Sequence, residues 1–232
     1  MISLKNKKAL ITGATGGIGQ EIVKLLVKEN CKVIALGRDI KKLSKLTKKY
    51  EVSAYRCDLK NSNFIKTVLS HIKNTYKSID ILINCAGVYL QKKIQNITEE
   101  DIDEVFAVNI KAPLLITKYV VQDMIKKKWG RIVNIGSIAS YYGFPLNSIY
   151  CSSKHAILGM TRALRGELKN YNIRVYCISP AATKTKMGKQ IKGENYNTFL
   201  NPKEVAEYVL FVIKFDKELI SEEVRLNRFL RE

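Results

Sequence analysis

The feature that most constrains the fold is an alternation that runs from one end of the chain to the other. Short apolar, β-rich runs at 7–12, 32–37, 52–56, 80–84, 131–136 and 173–178 are separated by amphipathic stretches at 17–29, 39–49, 61–76, 99–128 and 150–170. Continuous apolar runs such as Ile79-Asp80-Ile81-Leu82-Ile83 indicate strands covered on both faces, as in a parallel sheet. Each strand–helix–strand step implies a right-handed crossover, so the pattern predicts an α/β, doubly wound parallel sheet with helices on both faces. A last helix after Pro202 and a final strand at 222–226 bring the count to about seven strands. Pro113 is expected to break 99–128 into two helices, because proline disfavours helix in the residue before it. No repeat, linker or low-complexity tract interrupts the pattern, so residues 1–232 read as one domain.

At 232 residues the chain buries a core without staples. Its five cysteines (31, 57, 85, 151, 177) are odd in number and form no Cys-x-x-Cys pair; with only His71 and His155 beside them, no metal site is expected. Free thiols fit a reducing cytosol. The opening Met-Ile-Ser-Leu-Lys-Asn-Lys-Lys reaches strand-like sequence too soon for a signal peptide, and no apolar stretch has the length of a membrane span. A cytoplasmic protein without a membrane partner is expected.

The net charge of +19 admits two readings. One is an acidic or nucleic-acid partner; the other is a surface drawn from a lysine-rich proteome. Of the 40 basic residues only nine are arginine, whereas base readout and bidentate phosphate recognition favour arginine. They are also spread along the chain, with Lys126-Lys127-Lys128 reading as a solvated helix end. Nucleic acid is therefore not expected as a partner, while anionic substrates or an acidic carrier would be attracted.

The first strand runs directly into Gly13-Ala14-Thr15-Gly16-Gly17-Ile18-Gly19, and a helix follows. Glycines there let the backbone turn sharply and approach a pyrophosphate, which the helix N-terminus then meets with N–H donors and a positive dipole. The second strand ends Leu36-Gly37-Arg38-Asp39. An acidic residue in that place suits the ribose 2′-hydroxyl of NAD, and an arginine suits the 2′-phosphate of NADP. Gly37 occupies the acidic position and Arg38 follows, so NADP(H) is preferred with NAD(H) possible. Asp39 either caps the next helix or reaches the ribose.

Tyr150 and Lys154 lie four residues apart, with Ser137 thirteen residues upstream at the end of an apolar run. On a helix that spacing puts the ammonium beside the phenol, where a cation favours phenolate. By itself Tyr-x-x-x-Lys is a common helix-surface pair, and Ser137 by itself is an ordinary strand-end cap.

Taken together, Thr12 to Gly19 as Thr-Gly-x-x-x-Gly-x-Gly, Asp58 in Cys57-Asp58-Leu59, Asn84-Cys85-Ala86-Gly87, and the set Asn109, Ser137, Tyr150 and Lys154 resemble the short-chain dehydrogenase/reductase family over nearly the whole chain. The resemblance implies hydride transfer between a nicotinamide and a carbonyl or carbinol carbon. Tyr150 would be the proton donor or acceptor, Lys154 would lower its pKa and bond the nicotinamide ribose, Ser137 would hold the substrate oxygen, and Asn109 would position a water. Cofactor contacts are expected from Gly13, Thr15, Gly16, Gly17, Ile18, Gly19, Arg38, Asp58, Leu59, Asn84, Ala86, Gly87, Tyr150, Lys154, Pro180, Thr183 and Thr185.

Three departures from the family stand out. Pro180-Ala181 replaces Pro-Gly, so that loop is expected to differ locally. The substrate lobe at 185–201 is short and its Lys-Gly-Glu-Asn run reads as mobile. The final strand lacks the family's frequent Asp-Gly-Gly ending. Tyr89, Ile138, Tyr142 and the 185–200 segment are expected to form the pocket. The implied substrate is a small carbonyl or alcohol, with a 3-oxoacyl-(acyl-carrier-protein) thioester as the alternative. A homodimer or homotetramer is implied by analogy. A different class of reading is a catalytically silent nucleotide-binding sensor or scaffold.

Overall fold

The computed structural model describes residues 1–218 and 220–229; Leu219 and the C-terminal end of the single-domain expectation, residues 230–232, lie outside them. Seven strands form one parallel sheet: β1 Lys8–Thr12, β2 Lys32–Gly37, β3 Val52–Arg56, β4 Ile81–Asn84, β5 Gly130–Ile135, β6 Ile173–Pro180 and β7 Glu223–Leu226. Their order is β3-β2-β1-β4-β5-β6-β7, with every neighbouring pair parallel. The helices are α1 Gly17–Lys28, α2 Ile40–Lys49, α3 Ser62–Tyr76, α4 Glu99–Phe106, α5 Ala112–Lys127, α6 Ser148–Leu168 and α7 Pro202–Lys214.

Successive strand residues point to opposite faces, and the two faces bury different helices. Ala9, Ile11, Val33, Ala35, Ile81, Ile83 and Val133 pack with Ile22 and Leu26 of α1 and Val209 and Ile213 of α7. Leu10, Ile34, Leu36, Leu82 and Ile132 pack with Ile65 and Leu69 of α3 and Ile116 and Val120 of α5. The doubly wound architecture follows from that division.

Pro113 does not break the 99–128 helix. The backbone stays helical from α4 to α5 through a π-helical turn, Ala107–Lys111, in which the Ala112 N–H donates to the Ala107 carbonyl. Proline has no N–H to offer the carbonyl four residues back, and the wider turn accommodates the loss. Asn109, the residue four before Pro113, sits in that turn. Such single π turns concentrate at functional sites.

Sheet order reverses between β1 and β4. Chains leaving the two strands at their C-terminal ends diverge there, opening the crevice in which doubly wound folds bind ligands.

Candidate active site

A cleft of ≈ 1110 Å³ opens at that reversal, a little above the usual range of about 300–1,000 Å³ for small-molecule sites. The glycine turn forms one wall. Gly13 has φ +66°, and a Cβ there would stand 2.8 Å from the Ala86 backbone, so glycine is what lets the β1 and β4 loops touch. Thr12 Oγ1 locks the approach by accepting from the Cys85 and Ala86 N–H groups, each at 3.1 Å. Asp39, Asn61 and Thr98 cap α2, α3 and α4 with side-chain oxygens, whereas α1 has Gly16 at its N-cap and no side-chain cap. Its first N–H groups therefore have no capping side-chain oxygen, an arrangement that fits a pyrophosphate. Thr185 closes over the turn, its Cγ2 2.6 Å from where a Cβ on Gly17 would lie.

Of the expected cofactor contacts, Gly13, Thr15, Gly16, Gly17, Ile18, Gly19, Arg38, Leu59, Ala86, Gly87, Tyr150, Lys154, Pro180, Thr183 and Thr185 all line the cleft. Asp58 and Asn84 do not. Asp58 Oδ1 accepts the Lys60 N–H in its own loop. Asn84 lies beneath the floor, where its Nδ2 donates to Asn134 Oδ1 on β5 at 2.8 Å and Asn134 donates on to Thr161 Oγ1. Asn84 therefore ties β4 to β5 and, through Asn134, to α6.

Arg38 stands exposed at the end of β2, and Asp39 caps α2 by accepting from the Lys42 N–H at 3.0 Å. Glu104 of α4 reaches the same end of the cleft, 3.8 Å from Arg38 and 3.6 Å from Lys60. Nothing in the sequence singles out Glu104, one of several acids along α4.

The head of α6 carries Tyr150 and Lys154 into the cleft, and Ser137 arrives at the end of β5. Ser137 is a cap as well as a site residue: its Oγ accepts the Ala139 N–H at 3.1 Å, which fixes the oxygen and leaves its proton free to donate. Tyr150 is buried, its ring edge-on to Tyr89 at 4.9 Å between centroids. Burial pushes the phenol up to about 12, opposed by a hydrogen bond with Ser137 and reinforced by Tyr89 and Cys151. The expected lowering by Lys154 is not what the fold produces. Lys154 Nζ donates to the Ile135 carbonyl at 2.9 Å and lies 5.7 Å from the Tyr150 ring centroid. Its own pKa is pushed down to about 8 by burial, against the nearby Cys177 and Cys85 thiols.

Asn109 lies behind Gly87 rather than on the cleft surface. Its Oδ1 accepts the Val88 N–H at 2.8 Å, and its Nδ2 donates to the Val88 carbonyl and to Ser153 Oγ. The amide thus clamps the post-β4 loop to α6, with Ser153 as a partner that no sequence motif announced. The expected water would have to be held by some other atom of this residue.

The substrate end is walled by Tyr89, Ile138, Phe144, Leu146, Met187 and Ile191. Tyr142 is not among the wall residues; its hydroxyl accepts from Arg225 instead. The 185–201 lobe is held to the body at several points: Thr183 pairs with Leu200, the Lys192 N–H donates to Gln91 Oε1, and Phe199 is buried. Ala181 needs no positive φ, because its N–H joins the β7 edge at the Leu226 carbonyl. Among the described residues, no group of His, Cys, Asp and Glu is placed to hold a metal, and no helix is long and apolar enough to cross a membrane.

The family profile described as short chain dehydrogenase matches residues 7–195. A 3-oxoacyl-[acyl-carrier-protein] reductase of Thermotoga maritima is 33% identical, covering 95% of this chain and 96% of its own. An NAD-dependent glycerol dehydrogenase of Listeria innocua is also 33% identical, covering 95% and 92%. A metagenomic short-chain oxidoreductase solved in complex with NADP superposes with a TM-score of 0.87 at 26% identity, covering 99% of this chain and all of that one.

Proposed function

The chain belongs to the short-chain dehydrogenase family and is a nicotinamide-dependent oxidoreductase, and we propose that it is an NADP(H)-dependent carbonyl reductase in which Tyr150 is the general acid. The observation that carries this reading is the pairing of Tyr150 with Ser137 at the substrate end of the cleft, with Lys154 one helical turn away. A bound nicotinamide cofactor supplies the hydride chemistry. This chain's own residues do the rest. Ser137 Oγ donates to the substrate oxygen, and Tyr150 delivers the proton as the carbonyl carbon is reduced. A phenol pushed up to about 12 is protonated at neutral pH, the form that reduction requires. Lys154, still mostly charged at neutral pH, lies 5.7 Å from the Tyr150 ring centroid, a cation on the same side of α6 as the phenolate left behind. Asn109 holds Val88 in place, and its main-chain carbonyl lacks a helical donor at Pro113, which suits it to hold a water on the path to Lys154.

Cofactor choice rests on the end of β2. Asp39 is committed to capping α2, Gly37 offers no carboxylate, and Arg38 is free enough to meet a 2′-phosphate in a bidentate pair. Against this, Glu104 competes for Arg38, and NAD(H) stays the alternative. Five free thiols suit a reducing cytoplasm. Ile102, Phe106 and Leu114 leave apolar surface on α4 and α5, which supports a homodimer or homotetramer.

The second reading, reduction of a 3-oxoacyl thioester, is favoured by the apolar wall of Ile138, Phe144, Met187 and Ile191, which suits an acyl chain. Equal identity to a thioester reductase and to a glycerol dehydrogenase gives overall likeness no vote between substrates. The test is Tyr150→Phe, which keeps the ring packed on Tyr89 and removes the hydroxyl. Carbonyl compounds including acetoacetyl-coenzyme A are assayed with NADPH and with NADH. Turnover is expected to fall roughly 10²–10⁴-fold with cofactor affinity retained. Unchanged turnover would overturn the assignment and leave a nucleotide-binding scaffold as the better description.

A further inference from the structure

Two departures of this sequence from its family, the short lobe and the missing Asp-Gly-Gly ending, meet in space. After β7 the chain carries Asn227-Arg228-Phe229, and Arg228 reaches back to the lobe. Its Nη2 lies 2.8 Å from Glu194 Oε2, its Nη1 donates to Thr198 Oγ1 at 3.1 Å, and its guanidinium lies 5.6 Å from the Phe199 ring centroid. Two of these partners, Glu194 and Phe199, bear on the cleft. Glu194 lines it directly. Phe199 packs on Gly188, where a Cβ would come within 3.3 Å of the ring, and Gly188 lines the cleft as well.

The anchor on the other side is equally built. Glu223 of β7 receives a bidentate pair from Arg162 of α6 at 2.7 and 2.9 Å, and Arg165 pairs with Glu222. Arg225 donates to the Tyr142 hydroxyl and lies over the Tyr141 ring at 5.0 Å. The segment 222–228 is thus fastened to α6, to the 141–142 loop and to the lobe. Those are the elements that hold Tyr150, the Phe144–Leu146 wall and the Glu194 wall.

We infer that Arg228 is a positioning residue that fixes the lobe against the rest of the cleft, so that the C-terminal tail sets the width of the substrate end and thereby which carbonyl compounds are accepted. An arginine does this where a lysine would not, because its planar fork bonds Glu194 and Thr198 at once while its face lies on Phe199. The inference rests on the carbonyl reductase reading for its kinetic arm only.

Arg228→Ala, Arg228→Lys and the charge swap Arg228→Glu/Glu194→Arg are compared with wild type in two assays. In the first, with NADPH and either acetoacetyl-coenzyme A or 2,3-butanedione, KM for the carbonyl probe should rise about 5–20-fold in Arg228→Ala, with kcat and KM for NADPH within about twofold. Arg228→Lys should fall between the two, and the swap should recover a good part of the loss. In the second, trypsin should cut after Lys186, Lys189 or Lys192 about tenfold faster in Arg228→Ala, at unchanged Tm, because the lobe opens locally. Unchanged proteolysis would overturn the inference, as would parallel rises in both KM values accompanied by a fall in Tm. A wild type that reduces no carbonyl probe would sink the reductase reading, and the proteolysis would still decide the tie.

Discussion

Burial moves Tyr150 and Lys154 in opposite directions for a single reason, since each charged form loses its water. The phenol rises to about 12 and the ammonium falls to about 8. For Lys154 this has a consequence for stability. An unfolded lysine titrates at its ordinary 10.5, so between about 8 and 10.5 the unfolded chain binds more protons than the folded one, and stability rises with pH across that window. Below it the fold carries the full penalty of a buried charge, on the order of 3 kcal/mol at about 1.4 kcal/mol per pKa unit. Lys154→Met is therefore expected to be inactive yet more stable. Losing the bond to the Ile135 carbonyl gives back about 1 kcal/mol, leaving a net gain of roughly 2 kcal/mol below pH 8. Urea unfolding from pH 6 to 10 should show that gain shrinking as the pH rises through the window; a gain that is flat or grows with pH would refute the argument. Helical spacing alone was enough to place the two side chains on one face of α6. It could not give the sign of the Tyr150 shift, because burial depends on Tyr89 and Cys151 closing round the ring.

The first strand–turn–helix unit is where sequence and site coincide most closely, and its tightest point is Gly19. A Cβ there would lie 2.2 Å from the Gly13 carbonyl oxygen and 2.9 Å from its carbon, and neither backbone atom can yield without reshaping the turn. Gly159, in the middle of α6, has nothing within 4 Å of the same construction. Gly19→Ala is expected to destabilise the protein by roughly 1–3 kcal/mol and to weaken NADPH binding, measured by cofactor fluorescence. Gly159→Ala should stabilise by about 0.5–1 kcal/mol and leave binding alone; similar outcomes for the two would refute the steric account. Elements of this kind were legible because their signals are local. Apolar runs located β1 to β6 within one or two residues, Asp39 declared its cap, and glycines marked the turn. What stayed hidden is long-range or compensatory. The proline rule called for a break at Pro113 and missed that a π turn keeps the helix whole. The lobe's polar residues read as mobile, and the contacts that Gln91 and Arg228 make with it come from outside that stretch of chain. Asn84 matched a motif yet faces Asn134 beneath the floor.

Across the whole molecule the two ends of the sheet divide the work. The C-terminal ends of the strands carry the cleft, and the opposite end carries a charged network that the sequence presented as a solvated lysine cluster. There Lys127 pairs with Asp80 at 2.6 Å, and Lys7 and Arg131 both lie against Trp129, at 3.8 and 4.6 Å from the ring centroid. Arg131 is fully buried at the start of β5. It donates to the Gly130 and Asn172 carbonyls and pairs with Asp216 at 2.5 Å, and burial lowers its pKa. None of these atoms approaches the cleft, so the network should act on stability alone. Arg131→Met keeps the apolar stem and removes the fork, taking away the bonds to two carbonyls and leaving Asp216 with Arg174 at 3.2 Å as its remaining partner. Removing one member of a buried pair typically destabilises by about 3–5 kcal/mol, and the surviving Arg174 contact brings the expectation down to roughly 2–3 kcal/mol. Urea denaturation should show that loss, while kcat/KM per folded molecule stays within about twofold. A fall in kcat/KM without a fall in stability would mean that the far end of the sheet reaches the site, and that the division between the two ends does not hold.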